Sequence, residues 1–128
     1  MIFLLDTHLV LWAAGAPDRL STRASETIND PTNGLMFSSA VIWEVAIKSG
    51  LGRRDLNADA RLLRRGLLEN GYTELPISSE HGVATLDLPD LHKDPFDRIQ
   101  VAQARVEGLV LLTSDERVAD YGAPVELV

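Results

Sequence analysis

The chain contains no cysteine, which excludes disulfides and thiolate metal sites and is compatible with a reducing cytoplasm. No apolar stretch approaches the roughly 20 residues that span a bilayer, so no membrane association is expected. The first strand-like run begins at Ile2, which leaves no room for the basic segment and cleavage site of a secretory leader. Positive charge is in short supply: 12 Lys and Arg stand against 19 Asp and Glu, a formal net charge of −7. A nucleic-acid binder usually carries the opposite footprint. That objection weakens if several acids are gathered to hold metal, because bound cations invert the local sign. An acidic surplus also suits a basic partner. Repeats and low-complexity tracts are absent as well, and 128 residues suffice for one ordinary core. The expectation is one cytoplasmic domain over residues 1–128.

What is present is an alternation of apolar strands and capped helices. Ile2–Leu5 is followed by Asp6, a plausible N-cap, and a helix to about Ala14, with Gly15 and Pro17 as stop signals. Ser21 can cap a second helix through Ile28, and residues 29–34 form a turn cluster before a strand at Leu35–Phe37. Ser38 or Ser39 can cap a helix ending near Lys48, and a loop over Leu51–Ala58 leads to a helix from about Asp59 to Glu69. Tyr72–Pro76 predicts a third strand, and Ser78 and Ser79 open a short helix to about Leu86. A proline-broken loop over Leu88–Pro95 precedes a helix from about Asp97 to Glu107, capped by Gly108. Leu109–Thr113 is an uninterrupted apolar strand, a short helix follows Asp115, and Pro124–Val128 is a last strand. Continuous apolar strands separated by helices imply a parallel sheet covered on both faces, hence a three-layer α/β/α domain.

Four carboxylates stand in apolar surroundings: Asp6 after the first strand, Glu44 within Val41-Ile42-Trp43-Glu44-Val45-Ala46-Ile47, Asp97 in Phe96-Asp97-Arg98-Ile99, and Asp115 after Leu111-Leu112-Thr113-Ser114. Isolated acids beside a core are costly unless something pairs with them. Asp6 and Asp115 can each be no more than a helix cap, and Asp97 can be a helix-dipole partner. Glu44 has Lys48 four residues on, a favourable pair on an exposed face, but its apolar neighbours leave little solvated face. In a parallel sheet the carboxyl ends of the strands share one edge, which places Asp6 and Asp115 at that edge and lets Glu44 lean back over it from the helix after the second strand. Two carboxylates 5 Å apart repel by roughly 3 kcal/mol at an effective dielectric near 20. Hard oxygen ligands without cysteine select Mg²⁺ or Mn²⁺, and such a site suits phosphodiester hydrolysis.

The segments Leu4-Leu5-Asp6-Thr7-His8, Ser39-Ala40-Val41-Ile42-Trp43-Glu44, His92-Lys93-Asp94-Pro95-Phe96-Asp97-Arg98 with Val101-Ala102-Gln103-Ala104, and Leu111-Leu112-Thr113-Ser114-Asp115 resemble, in order and spacing, PIN-domain proteins of the VapC toxin type. The resemblance implies a parallel sheet of strand order 3-2-1-4-5, with the site at the switch point between the strands before Asp6 and Asp115. It implies a Mg²⁺- or Mn²⁺-dependent endoribonuclease acting on RNA, inhibited by a VapB-type antitoxin and usually a homodimer. Carried over by position, Asp6, Glu44, Asp97 and Asp115 are the acidic quartet. The three aspartates would bind metal, Glu44 would hold a metal-bound water or act as base, and Thr113 would orient Asp115 or contact phosphate. Gln100 stands where similar sequences tend to be apolar, an expected matter of helix packing. The alternative is a PIN fold that binds a protein or RNA partner and does no chemistry.

Other residues have competing readings. Asp94 either joins the ligands or shapes the Asp-Pro turn, and Arg98 either reaches a phosphate or pairs with a neighbouring acid. Arg53, Arg54, Arg61, Arg64 and Arg65 form the only basic concentration, either a solvated face beside Leu62, Leu63, Leu67 and Leu68 or a patch tracking the RNA backbone. His8 and His92 lie near the acids without zinc-ligand spacing, His81 reads as an ordinary helix residue, and Trp12 and Trp43 read as core or interface. Two other acidic α/β enzymes fit poorly. A haloacid-dehalogenase-type phosphatase wants an Asp where His8 stands, and a response-regulator receiver wants paired acids after the first strand.

Overall fold

The computed structural model describes residues 1–52 and 56–128. Strand β1 (Ile2–Leu5) lies at the centre of a five-stranded sheet with β2 (Gly34–Ser38), β3 (Thr73–Leu75), β4 (Val110–Thr113) and β5 (Val125–Leu127), in the order β3-β2-β1-β4-β5. Every pairing is parallel, with Leu4 opposite Met36 on one side and Leu111 on the other. This is the sheet expected from the sequence. The chain steps outward from β1 to β3 and then returns to the far side of β1. Right-handed crossovers must switch sheet faces at that return.

Burial records the switch. Phe3 and Leu5 of β1 and Leu112 of β4 face one core with Leu9, Val10, Phe37, Val41, Val45, Leu63 and Leu67. Phe37 comes from β2 and the others from helices α1 (Thr7–Gly15), α3 (Ser39–Gly50) and α4 (Ala60–Glu69), with Ala24 from α2 (Thr22–Asn29). Leu4 and Leu111, one residue out of phase, face a second core with Leu75, Leu88, Val101, Ala102, Val118 and Tyr121. Helix α6 (Pro95–Glu107), preceded by the short α5 (Ser79–Ala84), covers that face, with α7 (Glu116–Ala119) after β4. The alternation of strand side chains feeds both layers from a single continuous apolar run.

Side-chain caps set the helix starts. Ser21 accepts from the Ala24 N–H, Ser38 from the Ala40 N–H, and Asp59 from the Arg61 and Leu62 N–H groups. Helix α6 begins two residues earlier than Asp97, because Asp94 is its N-cap and Pro95 occupies its first turn. Gly108 ends it in the left-handed conformation at φ 68°, where a side chain would be strained.

Some expectations need correction. Of the two readings of Trp43, core or interface, the core one falls: it is 61% exposed and meets Phe96 edge-on at 5.4 Å. His81 lies in helix α5 as expected, but it is buried and tied down at both ring nitrogens. Its Nδ1 accepts from the Ser78 N–H at 2.9 Å, and its Nε2 lies 2.8 Å from Glu107 Oε2, tying α5 to α6. The predicted α4 stripe is half right: Leu63 and Leu67 are buried, whereas Leu62 and Leu68 are exposed. Arg61, Arg64 and Arg65 are exposed on α4, and Arg64 is paired with Glu74 at 2.9 Å. Arg53 and Arg54 lie outside the described residues, as does part of the 51–58 loop.

Leu5→Ala, at a fully buried central-strand position, is expected to cost about 2–5 kcal/mol in urea denaturation. Leu62→Ala, on the exposed side of α4, is expected to cost under about 1 kcal/mol by the same measurement.

Candidate functional site

The carboxyl ends of β1 and β4 are hydrogen-bonded neighbours, with the Asp6 N–H donating to the Leu112 carbonyl at 3.1 Å. Asp6 is the residue at which β1 becomes α1, and its Oδ1 accepts from the Leu9 N–H at 3.0 Å as the helix N-cap. Asp115 caps α7 in the same way, accepting from the Arg117 N–H at 2.9 Å. Both capping readings therefore hold, and they are what places the two carboxylates side by side. Asp6, Glu44, Asp97 and Asp115 line one small cleft of about 140 Å³, together with Asp94, Lys48 and Arg117.

Two hydroxyls organise the buried acids. Thr113, fully buried in β4, donates to Asp6 Oδ2 at 2.5 Å and accepts from the Asp115 N–H at 3.0 Å. Its hydroxyl thus joins Asp6 to the Asp115 backbone and holds Asp115 at its N–H. Thr7 donates to Glu44 Oε1 at 2.5 Å, while Lys48 Nζ lies 2.5 Å from Glu44 Oε2. Glu44 is only 4% exposed, so its pair with Lys48 is an interior pair and not the surface contact its spacing would also permit. Lys48 further lies 3.9 Å from Asp94 Oδ2 and sits over the Phe96 ring.

The remaining positions separate into site and support. Asp97 projects from the first turn of α6, with its Oδ2 3.4 Å from His92 Nε2. Asp94 accepts from the Phe96 and Asp97 N–H groups at 2.9 and 3.3 Å, which makes it the turn-former of the two readings, although it also borders the cleft. Gln100 is buried, donating to the Phe96 carbonyl at 3.1 Å and lying 3.4 Å from the Thr7 hydroxyl. The expectation that it concerns packing alone is corrected: it sits behind the Thr7–Glu44 contact. Among the described residues, the contacts of Arg98 are with carbonyls and a tyrosine and not with an acid. Its guanidinium donates to the Pro89, His92 and Thr85 carbonyls and to Tyr121 Oη, clamping the 85–92 segment. Thr7, Lys48, Gln100 and Tyr121 were not expected at the site. Lys48 alone carried a signal, its spacing of four from Glu44.

The electrostatics follow from this crowding. Burial pushes the Asp6 carboxyl up, against the lowering effect of its Thr113 and Leu9 hydrogen bonds. Asp97 is pushed up to about 7, first by burial and then by the negative charges of Asp94, Glu44, Asp6 and Asp115. Burial acts upward on Asp115 too, but the hydrogen bonds and charge of Arg117 outweigh it and hold the group below its usual value.

A divalent cation fits the chemistry of this donor set. Four hard carboxylates border one small cleft, and the charge crowding on Asp97 is the disadvantage a cation would remove. As they stand, no three acids among the described residues are drawn together tightly enough to enclose an ion. Lys48 and Arg117 take the compensating role at Glu44 and Asp115.

With fold and geometry in hand, comparison with known proteins decides the family: the sequence model of the PIN domain matches residues 3–124. The chain belongs to the PIN-domain family. No curated protein sequence matches it significantly. Solved structures with this PIN fold include VapBC2 from Rickettsia felis bound to a promoter DNA fragment, with TM-score 0.69 and 15% identity over 100% of this chain and 98% of that one. VapBC-1 from nontypeable Haemophilus influenzae has TM-score 0.63 and 16% identity, covering 100% and 97%. VapC20 from Mycobacterium tuberculosis, described as a toxin cleaving the sarcin–ricin loop, has TM-score 0.61 and 16% identity, covering 94% and 95%. Among the described residues, no helix of this PIN domain is long and apolar enough to cross a membrane.

The Asp97 shift has a defined sign. Its folded-state value of about 7 lies above the unfolded one, so the folded protein binds the extra proton and loses stability as pH rises from about 4 to about 7. Asp6 acts in the same sense and Asp115 in the opposite one. Asp97→Asn is therefore expected to stabilise the metal-free protein by about 2 kcal/mol at pH 8, with the gain shrinking at pH 5 and vanishing near pH 4. Thermal melts of both proteins across that range check it.

Proposed function

We propose that the protein is a Mg²⁺- or Mn²⁺-dependent endoribonuclease, the toxin of a VapBC-type toxin–antitoxin pair. The observation that carries the reading is the convergence of Asp6, Glu44, Asp97 and Asp115 on one cleft at the switch point of the sheet. The antitoxin complexes among the structural neighbours support a VapB-type partner. The homodimer, cytoplasmic residence and organisation of 1–128 as one domain complete the proposal.

In this reading Asp6, Asp97 and Asp115 hold the cation and Glu44 holds or deprotonates the attacking water. When bound, the cation supplies Lewis-acid neutralisation of the phosphate and activation of that water. The chain's own residues prepare the site. Thr113 and the Leu9 N–H fix the Asp6 carboxylate from behind. Thr7 fixes one oxygen of Glu44, leaving the carboxylate's orientation set before substrate arrives. Lys48 and Arg117, which border the same cleft, supply positive charge next to the position of the scissile phosphate. The guanidinium of Arg98 holds the 85–92 segment in place through its carbonyl contacts.

The test is RNA cleavage by purified protein with Mg²⁺ or Mn²⁺, alongside growth of expressing cells. Cleavage is expected with either ion, and Asp6→Asn and Glu44→Gln are expected to lower it at least about 100-fold with circular dichroism unchanged. Saturating Mn²⁺ should raise the melting temperature of wild type, by about 2.7 kcal/mol of stability at a hundredfold excess over Kd. Folded protein that cleaves no RNA with either ion, and Asp6→Asn cells that grow no better than wild type, would sink the reading. Toxicity retained in both variants would favour the silent binding module.

A further inference from the structure

Behind Asp97 runs a chain of polar side chains that the reading above does not use. Arg98 Nη1 donates to Tyr121 Oη at 3.0 Å, and Tyr121 Oη lies 3.0 Å from His92 Nδ1. The other ring nitrogen, His92 Nε2, is buried, has no hydrogen-bond partner among the described residues, and stands 3.4 Å from Asp97 Oδ2. The members come from three elements, α6, α7's C-terminal flank and the 88–94 loop. The same guanidinium that begins the chain also binds the Pro89 and His92 carbonyls, which fixes the loop carrying the imidazole.

The direction of the chain follows from hydrogen-bond chemistry. Arginine is a donor only, so Tyr121 Oη accepts from Arg98 and its own proton is available to His92 Nδ1. With Nδ1 accepting, a neutral imidazole carries its proton on Nε2. A cationic ring carries one there as well. In either state the nitrogen 3.4 Å from Asp97 Oδ2 carries a proton, although no hydrogen bond joins the two as they stand. The opposite tautomer would place a nitrogen lone pair against a carboxylate oxygen and leave the tyrosine proton without its acceptor.

We propose that His92 is a positioning residue for Asp97: the Arg98–Tyr121–His92 relay fixes an Nε2–H donor against Asp97 Oδ2, leaving the other carboxylate oxygen to face the cation. A ligand carboxylate held by an outer donor presents a single orientation to a metal, and losing such a donor typically weakens affinity by about 10–100-fold. The inference rests on Asp97 being a ligand, as proposed above.

The first measurement needs no metal and no RNA. A long-range ¹H–¹⁵N correlation spectrum of metal-free protein, with His92 assigned by its loss in His92→Gln, is expected to show Nε2 protonated. Tyr121→Phe is expected to shift the ring toward Nδ1–H. The second measurement is Mn²⁺ affinity by calorimetry, where His92→Phe should weaken binding at least about 10-fold and His92→Gln, whose amide N–H reaches the same place, should restore most of it. In cleavage assays His92→Phe should lower kcat with KM for RNA unchanged. If His92→Phe does not fold, Tyr121→Phe takes its place in the calorimetry, with a smaller loss expected. A wild-type ring protonated on Nδ1 alone overturns the proposal, and so does unchanged Mn²⁺ affinity in the folded variant. Asp97→Asn separates the two ideas. If it abolishes Mn²⁺ binding while His92→Phe does not affect it, the positioning role falls and the site reading stands. If Asp97→Asn leaves binding intact, the ligand role of Asp97 falls, and the positioning role with it.

Discussion

Like-charge crowding at the edge of a buried parallel sheet is the constraint on which the rest of this molecule turns. A parallel sheet with both faces covered brings the ends of its strands to one edge, and here that edge receives four acids within a single cleft. Each is balanced by its own means: hydroxyl and amide donors for Asp6, a lysine and a hydroxyl for Glu44, an imidazole beside Asp97, and an arginine for Asp115. The balance is least complete at Asp97, whose carboxyl is raised to about 7. The helices, loops and caps around the cleft are best understood as the scaffold that makes this arrangement affordable.

That scaffold divides the work between the two faces of the sheet. Helices α1 and α3 bring Thr7, Glu44 and Lys48 from one layer, and α6 brings Asp97 and Gln100 from the other. β1 and β4 meet between them and set the spacing. Neither layer could form the cleft alone, because the Gln100–Thr7–Glu44 series crosses from one to the other. Packing and chemistry therefore share the same residues at the switch point, where the chain changes sheet face.

The fold was legible because its signals are local. Apolar runs, Ser and Asp caps, and the glycine after Glu107 mark most boundaries to within a residue or two. Asp6 and Asp115 were legible at one sheet edge because both follow strands of a parallel sheet, while the adjacency of those strands came from the resemblance. Asp97 depended on the path of residues 88–94, and only the resemblance to a known family supplied it. The supporting residues were out of reach for a related reason. The contacts of His92 with Tyr121, Arg98 with the 85–92 carbonyls, and His81 with Glu107 join segments 26, 29 or fewer residues apart through loops that have no periodicity. Trp43 misled because an aromatic amid Val41, Ile42 and Val45 looks buried, while a helix turning every 3.6 residues points one of such a run outward.

The hydrogen bond from Thr113 to Asp6 joins residues 107 positions apart, and it has a consequence for the order of events during synthesis. The central strand, β1, is made well before its second neighbour, β4. Until then Asp6 lacks the hydroxyl that holds it, Asp115 has not been translated, and one side of β1 has no strand to pair with. The cleft thus forms only once β4 and Asp115 have been added, and until then a nascent molecule carries Asp6 with no site for that carboxylate to serve.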